Sequence, residues 1–421
     1  MSVTQAATGT PVDMSLSELK GHLDAGSDLF VVDVRNRDEF AAWRLESRGS
    51  LPTINVPYFE IIEEGMTLLE NGAQKSGDGG EDDVVESIVA YARKHWRDVL
   101  PTDKTILTVC AHGGTSDLVA RALRSLGYTA VNLAAGMAAW GDFYDVRSVT
   151  LDDGTHIFQV NRPARGCLSY VVASDGEAVV IDPLRHIEHY TRLAEEHGLR
   201  ITRVLDTHGH ADHISGGVAL ARQLGVPYHL HPYDAIHPLD VLPATIAYEP
   251  LHDGQEFRFG RATVRAVHVP GHTLGNIVFV LNDAVAFTGD SIFIESVARP
   301  DLGGRGETWA PLHYRSLRRL LDLPGDTIIM PGHFSSPAEA DERGLYARTL
   351  AELLETNEGL RMVERGEEAF VAYLLGSLPR FPEQYVDIKR VNAGLLQPDE
   401  DTASELELGR NICALSQAYK E

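Results

Sequence analysis

Apolar residues recur at helical spacing in Leu16, Leu19 and Leu23, behind a Ser15 and Glu18 pair that reads as a capping box. The apolar run 29–33 that follows reads as a buried strand. The alternation returns at 105–109, a second strand, and after Gly113 and Gly114 come Val119, Ala122, Leu123 and Leu126, which share one helix face. This pattern predicts a parallel sheet with crossover helices. The stretch 72–83 is Gly-rich and acidic without periodicity and is expected to be a mobile surface loop within that layer. The polar segment 148–154 reads as a short linker. Beyond it, strand-like runs at 156–160, 168–173, 178–182, 201–206, 262–268, 276–282, 284–288 and 326–330 alternate with helix-like segments near 187–197, 214–224 and 308–321. Strands outnumber helices here, which predicts antiparallel hairpins with outer helices. From Ala338 to about Gly376 the composition is helical, and the Pro-containing stretch 378–382 breaks it before an acidic tail.

The length of 421 residues allows two to three domains, each able to bury its own core. With 37 basic against 61 acidic side chains the formal charge is -24, which disfavours nucleic acid and anionic membrane as partners. Neither a spanning apolar run nor a secretory leader is visible, so a soluble, cytoplasmic protein is expected. Cys110, Cys167 and Cys413 are an odd number at distant positions and suit a reducing compartment better than a disulfide framework.

The strongest chemical signal is the run Thr207-His-Gly-His-Ala-Asp-His213, where a strand ends and a helix begins. If the run is extended, alternate residues point the same way, so His208 and His210 are expected to converge on one point while Asp212 and His213 turn toward a second. Three further strand ends carry His272, Asp290 and His333, each behind a Gly. Five histidines and two carboxylates form a metal-binding set of the kind that suits zinc or iron, and the absence of thiolate argues against a structural zinc knot. His229 and His231, a His-x-His without a carboxylate neighbour, are assigned to structure.

On these motifs, residues 155–335 resemble a metallo-β-lactamase-fold domain, which implies an αββα sandwich. Fold alone does not select a chemistry. Hydrolases of the glyoxalase II kind use all seven ligands for two metals, here two Zn, with the Asp290-type residue between them. Persulfide dioxygenases use one Fe(II) per chain, and the resemblance places its ligands at His208, His272 and Asp290. His210, Asp212, His213 and His333 then orient those ligands from outside. Segments 166–170, 181–183 and 298–302 are more similar to the dioxygenase branch, with Ala298 standing where Gly is usual. Arg299 either holds a substrate carboxylate or pairs with a neighbouring Asp. Cys167, in a strand-like run, reads as a buried small hydrophobe.

Cys110 opens a Gly-rich turn between a strand and a helix. Backbone N–H groups around such a turn, contributed by His112, Gly113, Gly114 and Thr115, form an anion cradle that favours a thiolate or persulfide. With Val31-Val-Asp-Val-Arg35 and the run 132–140, this loop resembles the rhodanese family over nearly the whole first domain. Thr115 stands where thiosulfate-using members carry Arg or Lys, which favours a persulfide as donor or acceptor. Asp33 and Arg35 read as a structural ion pair.

The fold class expected is an α/β rhodanese-like domain (15–147, after a tail 1–14), an αββα metallo-β-lactamase sandwich (148–345) and a helical C-terminal extension with an acidic tail (346–421). The run 382–392 extends the resemblance into that tail. The expected function is oxidation of a low-molecular-weight thiol persulfide by O2 to sulfite and thiol, coupled to sulfane-sulfur transfer through Cys110 with sulfite or thiosulfate as partner. The expected assembly is a homo-oligomer. A dinuclear zinc thioester hydrolase, and a non-catalytic sulfur relay or sensor, are the alternatives.

Overall fold

The computed structural model describes residues 13–26, 28–71, 80–378 and 380–414. Two compact units divide after Phe143. In the first, five parallel strands lie in the order Asp13–Met14, Ala130–Leu133, Thr105–Val109, Leu29–Asp33, Thr53–Asn55. The central run is apolar because helices cover it: Val32 and Ile106 are buried with Val119, Ala122 and Leu123 of helix Gly114–Ser125. The Ser15 capping box forms, with Glu18 Oε2 accepting from the Ser15 N–H at 2.8 Å. Most of the expected loop 72–83 lies outside the described residues, but its last part does not loop: Glu81–His95 is a helix with three acidic residues in its first turn, where they complement the helix dipole.

The second unit holds two sheets. One runs Glu249–Pro250, Tyr228–Leu230, Arg200–Leu205, Glu177–Ile181, Cys167–Ser174, His156–Arg162, Asp145–Thr150. The segment read as a linker is therefore in part an edge strand, Asp145–Thr150, paired antiparallel with His156–Arg162. Its alternating half-buried and exposed pattern shows why it passed for a polar connection. The other sheet runs Glu256–Phe259, Ala262–His268, Ile277–Leu281, Val285–Gly289, Ile328–Pro331, Arg348–Thr349. Tyr170, Val172, Val179 and Ile181 of the first sheet meet Val264, Phe279, Leu281 and Phe287 of the second in one core. The alternate positions Val171, Ala173 and Val180 face the outer helices Glu188–Glu196 and Gly217–Leu224. On the far side, Val278, Val280 and Ala286 pack on helix Gly306–Leu320 and the C-terminal helices. The hairpins expected throughout are confined to part of each sheet: Glu177–Ile181, Arg200–Leu205 and Tyr228–Leu230 are parallel neighbours, joined through helices. No helix among the described residues is long and apolar enough to cross a membrane.

Candidate metal centre and sulfur loop

Strand Arg200–Leu205 stops before the His-rich run, and residues 207–213 form a bent loop that is neither strand nor helix. The alternation expected of an extended segment therefore does not hold. His208 and His210 stand side by side, ring centroids 4.2 Å apart, but their nitrogens serve different partners. His210 Nε2 lies 3.3 Å from Asp182 Oδ1, in a group with Asp182 and Asp206. His208 instead joins His272 and Asp290, whose ligand atoms lie within 4.8 Å of one another.

Hydrogen bonds fix how this triad presents itself. The Arg299 carbonyl accepts from His272 Nδ1 at 2.8 Å, so the His272 Nε2 lone pair is free of its own proton. Thr207 Oγ1 donates to Asp182 Oδ2 and is left to accept from His208 Nδ1 at 2.9 Å, which gives His208 the same tautomer. His208 Nε2, His272 Nε2 and Asp290 Oδ2 are all buried without a hydrogen-bond partner. His272 Nε2 is 3.3 Å and His208 Nε2 3.9 Å from that carboxylate oxygen. Burial, followed by the neighbouring histidines, holds His208 well below the usual imidazole range, and burial also lowers His272 despite Asp290. Three buried acceptors with no donor among them are costly unless a cation sits between them. Two imidazoles and one carboxylate are a donor set that divalent iron or zinc satisfies.

The other ligand-type residues are arranged differently. His333 places Nδ1 2.6 Å from Asp290 Oδ1 and Nε2 2.8 Å from Asp212 Oδ2, bridging the two carboxylates. His213 Nδ1 lies 3.2 Å from both Asp212 oxygens, and Cys167 Sγ 3.5 Å from Asp212 Oδ2. Burial opposes a charged ring here, but Asp212 outweighs it, raising His213 to about 10, and Asp212 with Asp290 raises His333 well above its usual range. This half meets its carboxylates through ion pairs, although His213 Nε2 and His333 Nε2 are both buried without a hydrogen bond.

In the first unit, the Gly113 N–H donates to Cys110 Sγ at 3.0 Å and Ser116 Oγ approaches it at 3.1 Å. Ser116 Oγ also lies 2.7 Å from Asn132 Oδ1, whose amide nitrogen donates to Asp13 at 2.8 Å. Burial pushes the Cys110 thiol up, but the Ser116 and Thr115 hydroxyls and the Ser116 and His112 N–H groups bring it below the ordinary cysteine value. Gly136 is required: at φ 67 its absent Cβ would stand 2.5 Å from the Cys110 carbonyl.

The Rhodanese-like domain family matches residues 15–142, and the Metallo-beta-lactamase superfamily matches 162–333. The chain joins a rhodanese-like domain to a metallo-β-lactamase domain. It is 36% identical over 179 residues to persulfide dioxygenase ETHE1, mitochondrial, of Homo sapiens, covering 41% of this chain and 66% of that protein. It is also 36% identical over 169 residues to a hydroxyacylglutathione hydrolase of Cereibacter sphaeroides, covering 40% of this chain and 62% of that one. The chain thus spans just under two thirds of the length of both relatives. A metallo-beta-lactamase structure from Staphylococcus aureus superposes with TM-score 0.51 at 28% identity, over 58% of this chain and 73% of that one.

Within the metallo-β-lactamase domain the Arg299 guanidinium pairs with its neighbour Asp301 through two hydrogen bonds of 2.7 and 2.9 Å, and the residue is buried. Cys167 is buried as expected, yet it is more than filler. It faces Asp212, and His333, opposing the effect of burial, helps lower its thiol to about 7. Gly166 seats it, since a Cβ there would stand 2.7 Å from the Phe334 carbonyl. In the rhodanese-like domain, Asp33 and Arg35 form a buried pair at 2.7 Å, and Arg35 also donates to the Trp43 carbonyl. His229 is buried against Phe257.

The residues that sequence reading missed come mainly from the C-terminal segment. Lys389 Nζ donates to the Gly209 carbonyl at 2.5 Å, and Asn392 Nδ2 to the carbonyls of His210 and His213, each at 2.9 Å, so the helix Gln384–Asn392 clamps the metal loop. Buried Glu407 accepts from Arg162 at 2.6 Å and from the Ile214 N–H at 2.8 Å. Arg165 bonds the carbonyls of Asp212, Glu407 and Gly409. Cys413 is buried, its sulfur within 4.8 Å of carboxylate oxygens of Asp212 and Asp290. The expected acidic tail is therefore, up to Ala414, a wall of the metal centre. Lys389 and Asn392 lie inside the run 382–392 already singled out, but nothing in the spacing of Glu407 or Cys413 announces a site.

Proposed function

We propose that the protein oxidises a low-molecular-weight thiol persulfide with O2 at a single Fe(II) held by His208, His272 and Asp290, and that Cys110 carries sulfane sulfur to or from sulfite. The balance is RSSH + O2 + H2O → RSH + H2SO3, with the sulfane sulfur giving four electrons to O2. The observation that carries this reading is the convergence of three unpartnered atoms, His208 Nε2, His272 Nε2 and Asp290 Oδ2, in one group of two imidazoles and a carboxylate. Three atoms converge without a donor, while Asp212, Asp290, His213 and His333 meet one another through hydrogen bonds and ion pairs. Iron bound by two imidazoles and one carboxylate keeps positions open for oxygen and a sulfur ligand. The Arg299 carbonyl and Thr207 fix both imidazole tautomers, and His333 holds the outer oxygen of Asp290, so the chain supplies a preset face. Cys110 suits a persulfide because its sulfur already accepts from an N–H and faces hydroxyl donors, while Thr115 brings a hydroxyl but no cation for thiosulfate. The three reduced cysteines agree with a cytoplasmic setting.

The test is metal content after anaerobic purification together with oxygen uptake on glutathione persulfide. One iron per chain with uptake equal to persulfide consumed is expected. Two zinc ions per chain with thioester hydrolysis and no uptake would establish the other reading, a dinuclear hydrolase. That reading draws on the presence of all seven ligand-type residues and on the similarity to hydroxyacylglutathione hydrolase.

A further inference from the structure

We propose that Asp234 is a positioning residue of the metal centre, a single carboxylate that ties the chain after His208 to the chain after His272 and so sets the spacing of the two imidazole ligands. This rests on the assignment of those two residues as metal ligands, not on which reaction the metal serves. Asp234 Oδ2 accepts from the Gly209 N–H at 2.8 Å and from Thr273 Oγ1 at 2.6 Å, while Oδ1 accepts from the Gly275 N–H at 2.8 Å. Gly209 directly follows His208, and Thr273 directly follows His272. Three donors that lie 25, 39 and 41 positions from Asp234 along the chain thus meet on one side chain.

The two imidazoles need such a tie because they come from different sheets. His208 follows strand Arg200–Leu205 of one sheet, and His272 follows strand Ala262–His268 of the other. A backbone bond from the Ile277 N–H to the Thr207 carbonyl at 2.7 Å joins the two loops, and Asp234, held in the turn after strand Tyr228–Leu230 by its own N–H on the His231 carbonyl, adds a charged clasp. The site is shaped to admit that carboxylate. A Cβ on Gly275 would stand 2.7 Å from Asp234 Cγ, and one on Gly209 3.2 Å from the Asp234 carbonyl oxygen, so both loops carry glycine where Asp234 comes close. The Gly209 carbonyl in turn accepts from Lys389, which leaves the residue between His208 and His210 gripped at both of its polar atoms.

This task differs from that of the groups bonded to the rings themselves. The Arg299 carbonyl and Thr207 set how each imidazole is turned, whereas Asp234 sets how far apart the two stand. The ring centroids of His208 and His272 lie 5.0 Å apart at 84°, with both Nε2 atoms open. An ionised carboxylate suits the role because it only accepts, and each of its bonds to an N–H or O–H is charge-assisted. Alanine in its place leaves two backbone donors without their acceptor, and the loops that carry the ligands are free to separate.

The experiment uses the full chain, stripped of metal and titrated with Co(II), whose visible absorption reports coordination geometry without any turnover. Asp234→Ala should weaken Co(II) binding by about 10–100-fold, and its spectrum at saturation should differ from that of the wild type. Thr273→Val, which removes one of the three donors, should shift both readings in the same direction by less, and Thr273→Ser should restore them because the hydroxyl is kept. Melting of the metal-free chains is followed alongside. A role confined to holding the fold would lower the melting temperature and leave the saturated spectrum unchanged, and that result overturns the proposal, as does wild-type affinity in Asp234→Ala. Where Asp234→Ala does not fold, the Thr273 pair decides, and valine and serine variants that behave alike overturn it. A wild-type chain that binds no Co(II) overturns the ligand assignment and this proposal together. A chain whose Co(II) spectrum depends on Asp234, yet which takes up no oxygen on glutathione persulfide when loaded with iron, supports the positioning role and overturns the dioxygenase reading instead.

Discussion

The metal centre and the Cys110 loop are opposites in hydrogen-bonding terms. At the metal centre, three buried acceptors face one another and no donor answers them. Around Cys110 the reverse holds: one sulfur is met by an N–H and by hydroxyls, with an N-terminal helix turn behind it. The first arrangement is incomplete until a cation arrives, whereas the second is complete around an anion. The difference teaches which centre depends on something the chain does not itself supply. It also separates the proposed oxidation from the proposed sulfur transfer at the level of single residues, and each prediction that follows presses on that separation.

The largest effect is expected from His272→Ala. It removes one of three ligand atoms, so iron content and oxygen uptake should both fall to background, while alkylation of Cys110 keeps its wild-type rate. Metal analysis and iodoacetamide kinetics on one preparation check both halves, and full uptake in this variant would remove His272 from the centre. Cys110→Ser is the mirror experiment. Sulfur transfer between persulfide and sulfite should be lost, since serine is a far weaker nucleophile at neutral pH, while iron and oxygen uptake on a small persulfide persist. If uptake collapsed with iron intact, the two centres would be steps of one obligatory relay.

A smaller effect is expected at His333, which holds Asp290 from its outer side at 2.6 Å. His333→Ala should retain part of its iron and lose roughly 10–100-fold in affinity or rate, the usual cost of removing a group that orients a ligand. Complete metal loss, measured by elemental analysis, would mean that His333 binds metal directly and would favour two ions.

How much of this could be read beforehand depended on how local the determinants are. The Cys110 loop is one short run of chain, and its strand, glycines and helix are visible in order, so its geometry was legible. The identity of the seven ligand-type residues was legible too, because each follows a strand and sits next to glycine or another ligand. Their partition was not. The expectation that His208 and His210 share a target assumed an extended backbone, and the chain turns there instead, sending His210 to Asp182, a residue 28 positions earlier. The edge strand Asp145–Thr150 hid behind its polar, solvent-facing positions. The wall formed by Glu407 and Cys413 hid for another reason: its contacts with Arg162, Ile214 and Arg299 join residues more than 100 positions apart, and no periodicity records such pairings.

The finest probe of the comparison is Ser116→Ala, which alters a donor without touching the sulfur. Ser116 Oγ stands 3.1 Å from Cys110 Sγ and 2.7 Å from Asn132 Oδ1. Asn132 turns its oxygen toward Ser116 because its amide nitrogen is held by Asp13. When Cys110 carries a proton, the serine hydroxyl is free to donate to Asn132. When Cys110 is a thiolate, the same hydroxyl serves the sulfur. Removing it takes a charge-assisted hydrogen bond from the thiolate form but only a neutral one, to Asn132, from the thiol form, and the sign follows: the thiol pKa, held below its ordinary value in the wild type, rises in the variant. The two bonds differ by about 1 kcal/mol, so at pH 7 the thiolate fraction and the alkylation rate should fall by roughly fivefold. Above the variant's pKa the two rates should converge, because both sulfurs are then ionised. A pH profile of iodoacetamide alkylation on the full chain shows this directly. A difference that persisted unchanged at high pH would mean that Ser116 acts through the shape of the loop rather than through charge, and the donor cradle would then belong to the backbone N–H groups alone.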